Sequence, residues 1–222
     1  MRSPLNTPIV FFMGSIPVTE PVVVTWGIIA AMVLGSAVAT RRLSLRPGSG
    51  QALLEIVIDT VYSQLSDAMG VDAQRYFPLL ATLFAFLVVA NLSGQIPGVT
   101  PPTAFIQTPA ALAIIVFFAV HYYGLRSVGV AAYLKSFARP TILMLPLNVL
   151  AQITRTFSLM VRLFGNIMSG EFVIGIILAF AGLFVPIPLL ALEIVVGIVQ
   201  AYIFTVLAAV FIAAGVGAVE AG

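Results

Sequence analysis

The sequence contains no cysteine and one histidine, His121, in 222 residues. Disulfides, thiolate metal sites and cysteine nucleophiles are excluded, as is any multi-histidine metal site made by this chain alone. Charge is almost as scarce. Charged residues are 8% of the chain and hydrophobic ones 61%, whereas a soluble domain carries roughly 25% charged residues. A chain so poor in charge cannot cover a water-facing surface and takes lipid as its solvent. The net charge of +2 is spread over short basic clusters and does not suggest nucleic-acid binding. There is no Gly-rich phosphate loop, so the chain itself is not expected to bind ATP. No cofactor, resident metal or catalytic centre is expected. The first apolar run begins beyond residue 20 without a basic front or a small-residue cleavage site, so no cleavable leader is expected.

What is abundant is long apolar runs. The bilayer core is about 30 Å thick, so a spanning helix needs ~20 apolar residues. Residues 21–40 form a first such run, stopped by Arg41, Arg42, Arg46 and Pro47-Gly48. Residues 51–69 differ. Leu54, Val57, Ile58, Val61, Leu65 and Ala68 fall on one helical stripe, with Glu55, Asp59, Ser63 and Ser66 on the other side. That pattern predicts an amphipathic helix on the membrane surface. Further spans are predicted at 76–95 and 106–123, separated by Ile96-Pro97-Gly98 and an uncharged turn at 99–102. Residues 146–184 and 189–219 are two longer runs around Pro186-Ile187-Pro188. At 1.5 Å per residue they reach ~45–60 Å, so they must tilt or bend. The expected fold is one all-α integral membrane domain over residues 1–222. It has about five membrane-embedded helices plus one amphipathic surface helix, and the last two form a long tilted hairpin turning at Pro186 and Pro188. The basic residues after the first and third spans (Arg126, Lys135 and Arg139 for the latter) place those ends in the cytoplasm. The uncharged loops at 96–105 and 181–188 then lie outside, with an outside N-terminus and an inside C-terminus. Arg2 is a small contrary vote.

Three charges, Arg162, Glu171 and Glu193, fall deep inside the two long runs, and Arg155 lies nearer one end. A charge at the bilayer centre costs at least ~2.5–3.5 kcal/mol on insertion scales and usually marks an ion pathway. Internal salt bridges that hold a bundle together are the competing explanation. Spacing bears on the choice. Ser158, Arg162, Asn166 and Ser169 share one helix face, with Arg155 two turns before Arg162. Glu171, nine residues on, falls on the opposite side, so it is a poor partner for Arg162. Glu193 and Gln200 share a face of the last helix, with Gly197 between them. Gly165, Gly170, Gly175 and Gly197 would permit close helix approach. An arginine with no obvious acidic partner in its own helix calls for one elsewhere, and a carboxylate on another protein is expected. Carboxyls such as Glu171 and Glu193 suit a relay, since they both take and give protons.

These residues resemble a known family. Ser158-Leu159-Met160-Val161-Arg162-Leu163-Phe164-Gly165-Asn166 is similar to the signature of subunit a of F-type ATP synthases. Gly170-Glu171 and Gln200-Ala201-Tyr202-Ile203-Phe204 continue the likeness. So do Tyr76-Phe77-Pro78, Asn91-Leu92-Ser93-Gly94 with Ile96-Pro97-Gly98, and His121-Tyr122-Tyr123-Gly124. The likeness spans roughly residues 50–220 in the same order. It implies a stator packed against a ring of c subunits, joined to a peripheral stalk of b type and the rest of an ATP synthase in a bacterial plasma (inner) membrane. It implies that Arg162 faces the ring carboxylates, and that Asn166, Gln200, Glu171 and Glu193 line or gate two ion half-channels. Some members carry histidine where this chain has Glu193. Ser158, Ser169, Asn91, Gln107 and Arg155 are further candidates for half-channel lining. The chain also departs from the pattern. Many members have a carboxylate fourteen residues before the arginine, where this chain has Asn148. Many open the third span with an acidic Asp-Ile-Asn motif, where this chain has Phe105-Ile106-Gln107. Both departures bear on the ion path and leave proton and sodium open as the coupling ion. The alternative is a stand-alone secondary ion transporter or antiporter. That would favour internal repeats and broken helices, and no clear repeat is visible. An intramembrane hydrolase would need a nucleophile–histidine pair, which His121 near a helix end does not provide.

Overall fold

The computed structural model describes residues 9–13, 16–41, 48–96, 98–130, 132–133, 144–181 and 186–217. Two short strands, β1 (Ile9–Met13) and β2 (Ile16–Thr19), pair antiparallel with an irregular step between Ile9 and Phe11, and lead straight into α1 (Glu20–Thr40). Pro21 sits in the first turn of α1, where a missing N–H costs nothing because those donors have no intrahelical partner. α1 lies at the rim of the bundle, and along its length only Pro21 and Ile28 are buried. The amphipathic helix follows as α2 (Ser49–Met69), ended by Gly70 in the left-handed conformation (φ 67°), a backbone state that glycine adopts without steric cost. Only its C-terminal half docks, through Leu65 and Met69, while Leu53, Leu54, Ile56, Val57 and Ile58 stay exposed.

α3 (Phe77–Leu92) runs into a 3-10 turn at Ser93–Gln95, and α4 spans Gln107–Val128. α4 outruns its expected end at Tyr123 by five residues, running through Gly124 and stopping before Gly129 at φ 85°. The second half of the connection between α3 and α4 folds inward: Pro101 to Phe105 are all buried, while Ile96 and Gly98 are exposed. The two long helices are α5 (Leu145–Ala181, 37 residues) and α6 (Pro186–Gly217, 32 residues). At 1.5 Å per residue they measure about 55 and 48 Å, well beyond a ~30 Å bilayer core. The expected turn at Pro186 and Pro188 needs correction. Both prolines already belong to the first turn of α6, where they are tolerated for the same reason as Pro21. The turn itself, and the basic residues Arg42, Arg46, Lys135 and Arg139, lie outside the described residues.

α6 is the central helix. Ala201, Phe204, Ala208, Ala209 and Ile212 are buried along one side of it. α3 meets that side through Leu80, Leu83 and Leu87, α4 through Ala113, Val116 and Val120, and α5 contributes Leu159, Leu163 and Ile167. Each set follows helical spacing, so each helix gives one stripe to the core. Small residues let the backbones close up, as packing in lipid requires. A Cβ added at Gly215 would come within 2.9 Å of Val120, and one at Gly197 within 3.2 Å of the Asn91 Cβ. Among the described residues, five helices (α1, α3, α4, α5 and α6) are long and apolar enough to cross a membrane.

Candidate functional site

Ser158, Arg162, Asn166 and Ser169 all lie on an exposed face of α5, as their spacing predicts, because Leu159, Leu163 and Ile167 take the neighbouring stripe into the core. Arg162 makes no ion pair or hydrogen bond with any described residue. The exposed Ser158, Asn166 and Ser169 share its face, and the apolar Phe157 and Val161 are exposed close to it in sequence on α5. Arg155 lies on the same face with its guanidinium 5.6 Å from the centre of the Phe211 ring, a cation–π contact that fixes it to α6. Gly165, next to this face, has nothing within 4 Å of the place its Cβ would occupy.

One turn on from Arg162, the Asn166 amide donates to the Gln200 side-chain oxygen at 2.6 Å. Gln200 is 2% exposed, and its own amide nitrogen has no acceptor among the described residues. This bond joins the antiparallel helices α5 and α6. Further along the same crossing, Gly170 faces Glu193 so closely that a Cβ there would stand 2.6 Å from Oε1. The Gln95 amide reaches Glu193 from α3's 3-10 turn at 3.4 Å. Glu171 packs against the same turn, its Oε1 3.0 Å from where a Cβ on Gly94 would be. The fold therefore gathers Glu171, Glu193 and Gln95 at one polar locus, and Glu171 points away from Arg162 as the spacing predicts. Gly170 has a use other than the expected close helix approach, and Gly94 shares it: their missing side chains leave room for carboxylates.

Asn91 continues this locus one turn back along α3. Its amide donates to the Gly197 carbonyl at 2.8 Å and its oxygen accepts from the Thr103 hydroxyl at 2.9 Å. All three groups are buried. Gln107 lies apart from the cluster, exposed at the start of α4 beside α1. His121 sits against the Phe117 ring, with Nδ1 2.7 Å from the Phe117 carbonyl, in the second half of α4 away from the carboxylates. Sequence reasoning missed Gln95 and Thr103. Gln95 had a signal, a lone amide at the end of an apolar run. Thr103 had none, because only the inward fold of the α3–α4 connection makes it part of the site.

Comparison with known proteins bears on what this arrangement serves. Residues 22–213 match the family model described as ATP synthase A chain. A Bradyrhizobium protein named ATP synthase subunit a 2 is 61% identical over 220 residues, covering 99% of both chains. The protein of that name in Pelobacter propionicus is 45% identical, over 97% of this chain and 95% of that one. ATP synthase subunit a 1 of Hahella chejuensis is also 45% identical, over 96% of this chain and 91% of the other. With five helices fit to cross a bilayer and a family match over most of its length, the chain is an integral membrane protein that belongs to the ATP synthase A chain family and forms part of an ATP synthase complex.

Proposed function

We propose that this subunit is the ion-translocating stator of a rotary F-type ATP synthase. Its two half-channels carry protons or sodium ions to and from carboxylates on a rotating ring of c subunits, and a b-type peripheral stalk holds it still. The observation that carries the reading is Arg162, a permanent cation on an exposed face of α5 with no acid among the described residues paired with it. Guanidinium has too high a pKa to give up its proton. An uncompensated charge at that depth costs several kcal/mol, so a carboxylate has to meet it from outside. The open space over Gly165 suits close approach of a neighbouring helix.

Neutral ring carboxylates face lipid at low cost, whereas bare ones do not. A site that turns to Arg162 meets a fixed positive charge, which favours its ionised form and releases its ion. The same charge repels any cation and blocks direct leakage between the half-channels. Asn91, Gln95, Thr103, Glu171 and Glu193 supply a continuous polar locus for one half-channel, on the side of the α3–α4 connection. Asn166 and Gln200 lie between it and Arg162. Ser158 and Arg155 lie towards the other end of α5 and suit the second half-channel, while Ser169 borders the first. The transmembrane potential supplies ~2.3 kcal/mol per charge per 100 mV. The subunit sits in a bacterial plasma membrane with its N-terminus outside and its C-terminus in the cytoplasm, the orientation that basic Arg41 and Arg126 favour.

Arg162→Ala abolishes ATP synthesis driven by an ion gradient in vesicles holding the whole complex, while the complex still assembles. Retained coupled synthesis refutes the role. Purification without a c ring, together with ion exchange by the chain alone, would instead establish the stand-alone transporter. Sodium dependence of ATP hydrolysis by the whole complex decides the coupling ion.

A further inference from the structure

Arg162 shares its face with a second cation. Arg155, seven residues earlier on α5, is exposed as well, about 10 Å away along the helix axis. It makes no ion pair with any described residue. For a helix centred in the bilayer, Arg155 lies eight residues or about 12 Å from the midpoint of α5, inside the ~15 Å of one half of the hydrocarbon core. A long cationic side chain at that depth ordinarily snorkels to the surface. This one is fastened inward: its guanidinium stands 5.6 Å from the centre of the Phe211 ring. The contact keeps register with the Asn166–Gln200 bond, eleven residues further on along α5 and eleven earlier along α6. The two antiparallel helices thus hold the second cation in one place.

Among the described residues no acid nearby cancels its charge. An aromatic ring attracts a cation without neutralising it. On α5, Asn148, Gln152 and Ser158 share or flank its face and are neutral. On α6 the acid is Glu193, eighteen residues from Phe211 or about 27 Å along the axis. α4 carries no acid; its His121 rests on Phe117, and its Arg126 donates to the Tyr122 hydroxyl. The acids of α2, Glu55, Asp59 and Asp67, are exposed and pair with neither arginine.

We infer that Arg155 is a second stator charge, held by Phe211, that weakens the grip of a ring carboxylate on its cation while that carboxylate stands at the second half-channel. The inference rests on the reading of Arg162 given above. Arg162 makes the carboxylate give up its ion where the two meet. Arg155 extends that field two turns towards the start of α5, the cytoplasmic end in the proposed orientation, where ions leave during synthesis. Two unit charges about 10 Å apart, at an effective dielectric constant of about 20, interact strongly enough to change an affinity about tenfold.

The test is ATP-driven pumping by the intact synthase in vesicles, with initial rates read against pH and against sodium concentration on the side where ATP is added. Arg155→Gln should lower the half-saturating concentration of the coupling ion up to about tenfold. It should also slow gradient-driven synthesis, because release to that side becomes harder. Arg155→Lys keeps the charge and should stay close to wild type. Gln152→Glu, nearly isosteric and one turn before Arg155, offsets the charge without removing it. It should shift the same way by less, and it decides the matter if Arg155→Gln does not assemble. A residue that only anchored the helix would lower the maximal rate and leave the half-saturating concentration where it was; that result overturns the proposal, as does a shift confined to the opposite side. Arg162→Ala in the same vesicles separates the two claims. If it still pumps, the reading of Arg162 fails and this inference with it. If it is dead while Arg155→Gln and Gln152→Glu titrate like wild type, the role of Arg155 alone is refuted.

Discussion

Asn91 joins both α6 and the α3–α4 connection, and its replacement gives a sharp test of the site's construction. Its amide and oxygen hold the Gly197 carbonyl and the Thr103 hydroxyl at 2.8 and 2.9 Å, both out of reach of water. Asn91→Ala removes both bonds and leaves the Thr103 hydroxyl, 0% exposed, without that acceptor. Hydrogen bonds between helices in membranes average ~0.6 kcal/mol and reach ~1.7. Two of them, one leaving a buried orphan, make a loss of about 1–3 kcal/mol. Equilibrium unfolding of the purified subunit in mixed micelles with rising SDS reads this loss directly. Thr103→Val loses only one bond and costs about 1 kcal/mol. The double variant costs less than the sum of the two singles, because the Asn91–Thr103 bond is counted once rather than twice. ATP-driven ion pumping falls in both singles, since Gln95, which reaches Glu193 of α6, lies in the same connection. A neutral Asn91→Ala, or strict additivity in the cycle, refutes this account of how the turn is held.

Three further outcomes follow from particular contacts. Gly170→Val puts its side chain where the Glu193 carboxylate lies; pumping should fall several-fold with assembly intact, whereas Gly170→Ala should fall less because the carboxylate is the free end of a flexible side chain, and equal activity of both with wild type refutes the crowding. Gly124→Ala drives a methyl into the Tyr133 ring, which is rigid, so about 1–3 kcal/mol of stability is lost, and Tyr133→Leu in the same chain restores part of it in the same SDS titration. The Tyr62 hydroxyl donates to Asp72 beyond the end of α2, holding the Asp72 carboxyl below its ordinary range and, by the same bond, pushing the Tyr62 hydroxyl up. A depressed carboxyl pKa stabilises above the unfolded value and is lost as pH falls through the folded one; a raised phenol pKa stabilises below the unfolded value and is lost as pH rises. The clamp is therefore constant between about pH 4 and pH 10, and Tyr62→Phe should speed proteolysis of residues 70–76 equally across pH 5–9; a strong pH dependence there refutes it.

Much of the fold was legible because lipid makes length and polarity decisive. Every spanning run found its helix within a few residues, and α2 kept its place as an amphipathic helix from its stripe alone. Errors fell where local chemistry, not hydropathy, sets the boundary: α4 continued through Gly124 to Val128, and Pro186 and Pro188 began a helix rather than a turn. The hairpin of β1 and β2 carried no signal, since residues 9–19 are too short and too irregular in pattern to separate strand from coil.

The site divides the same way. The face of Ser158, Arg162, Asn166 and Ser169 was legible because one helix fixes it by periodicity. The grouping of Glu171 with Glu193 was not, because it depends on how α5 and α6 slide past each other. That slide is set by bulk: Asn166 against Gln200 at one crossing, Gly170 against Glu193 at the next. A larger residue at 170 would push the helices apart just where the carboxylate needs cover, and a larger one at 94 would displace Glu171. The glycines thus do for the polar locus what small residues usually do for helix contacts. They convert close packing into room for two acids that a chain with eight acidic residues in all places inside its apolar runs. Arg162, by contrast, has space left open beside it. The chain shelters its own acids with glycine and presents its cation bare, an asymmetry that suits an anion arriving from a neighbour.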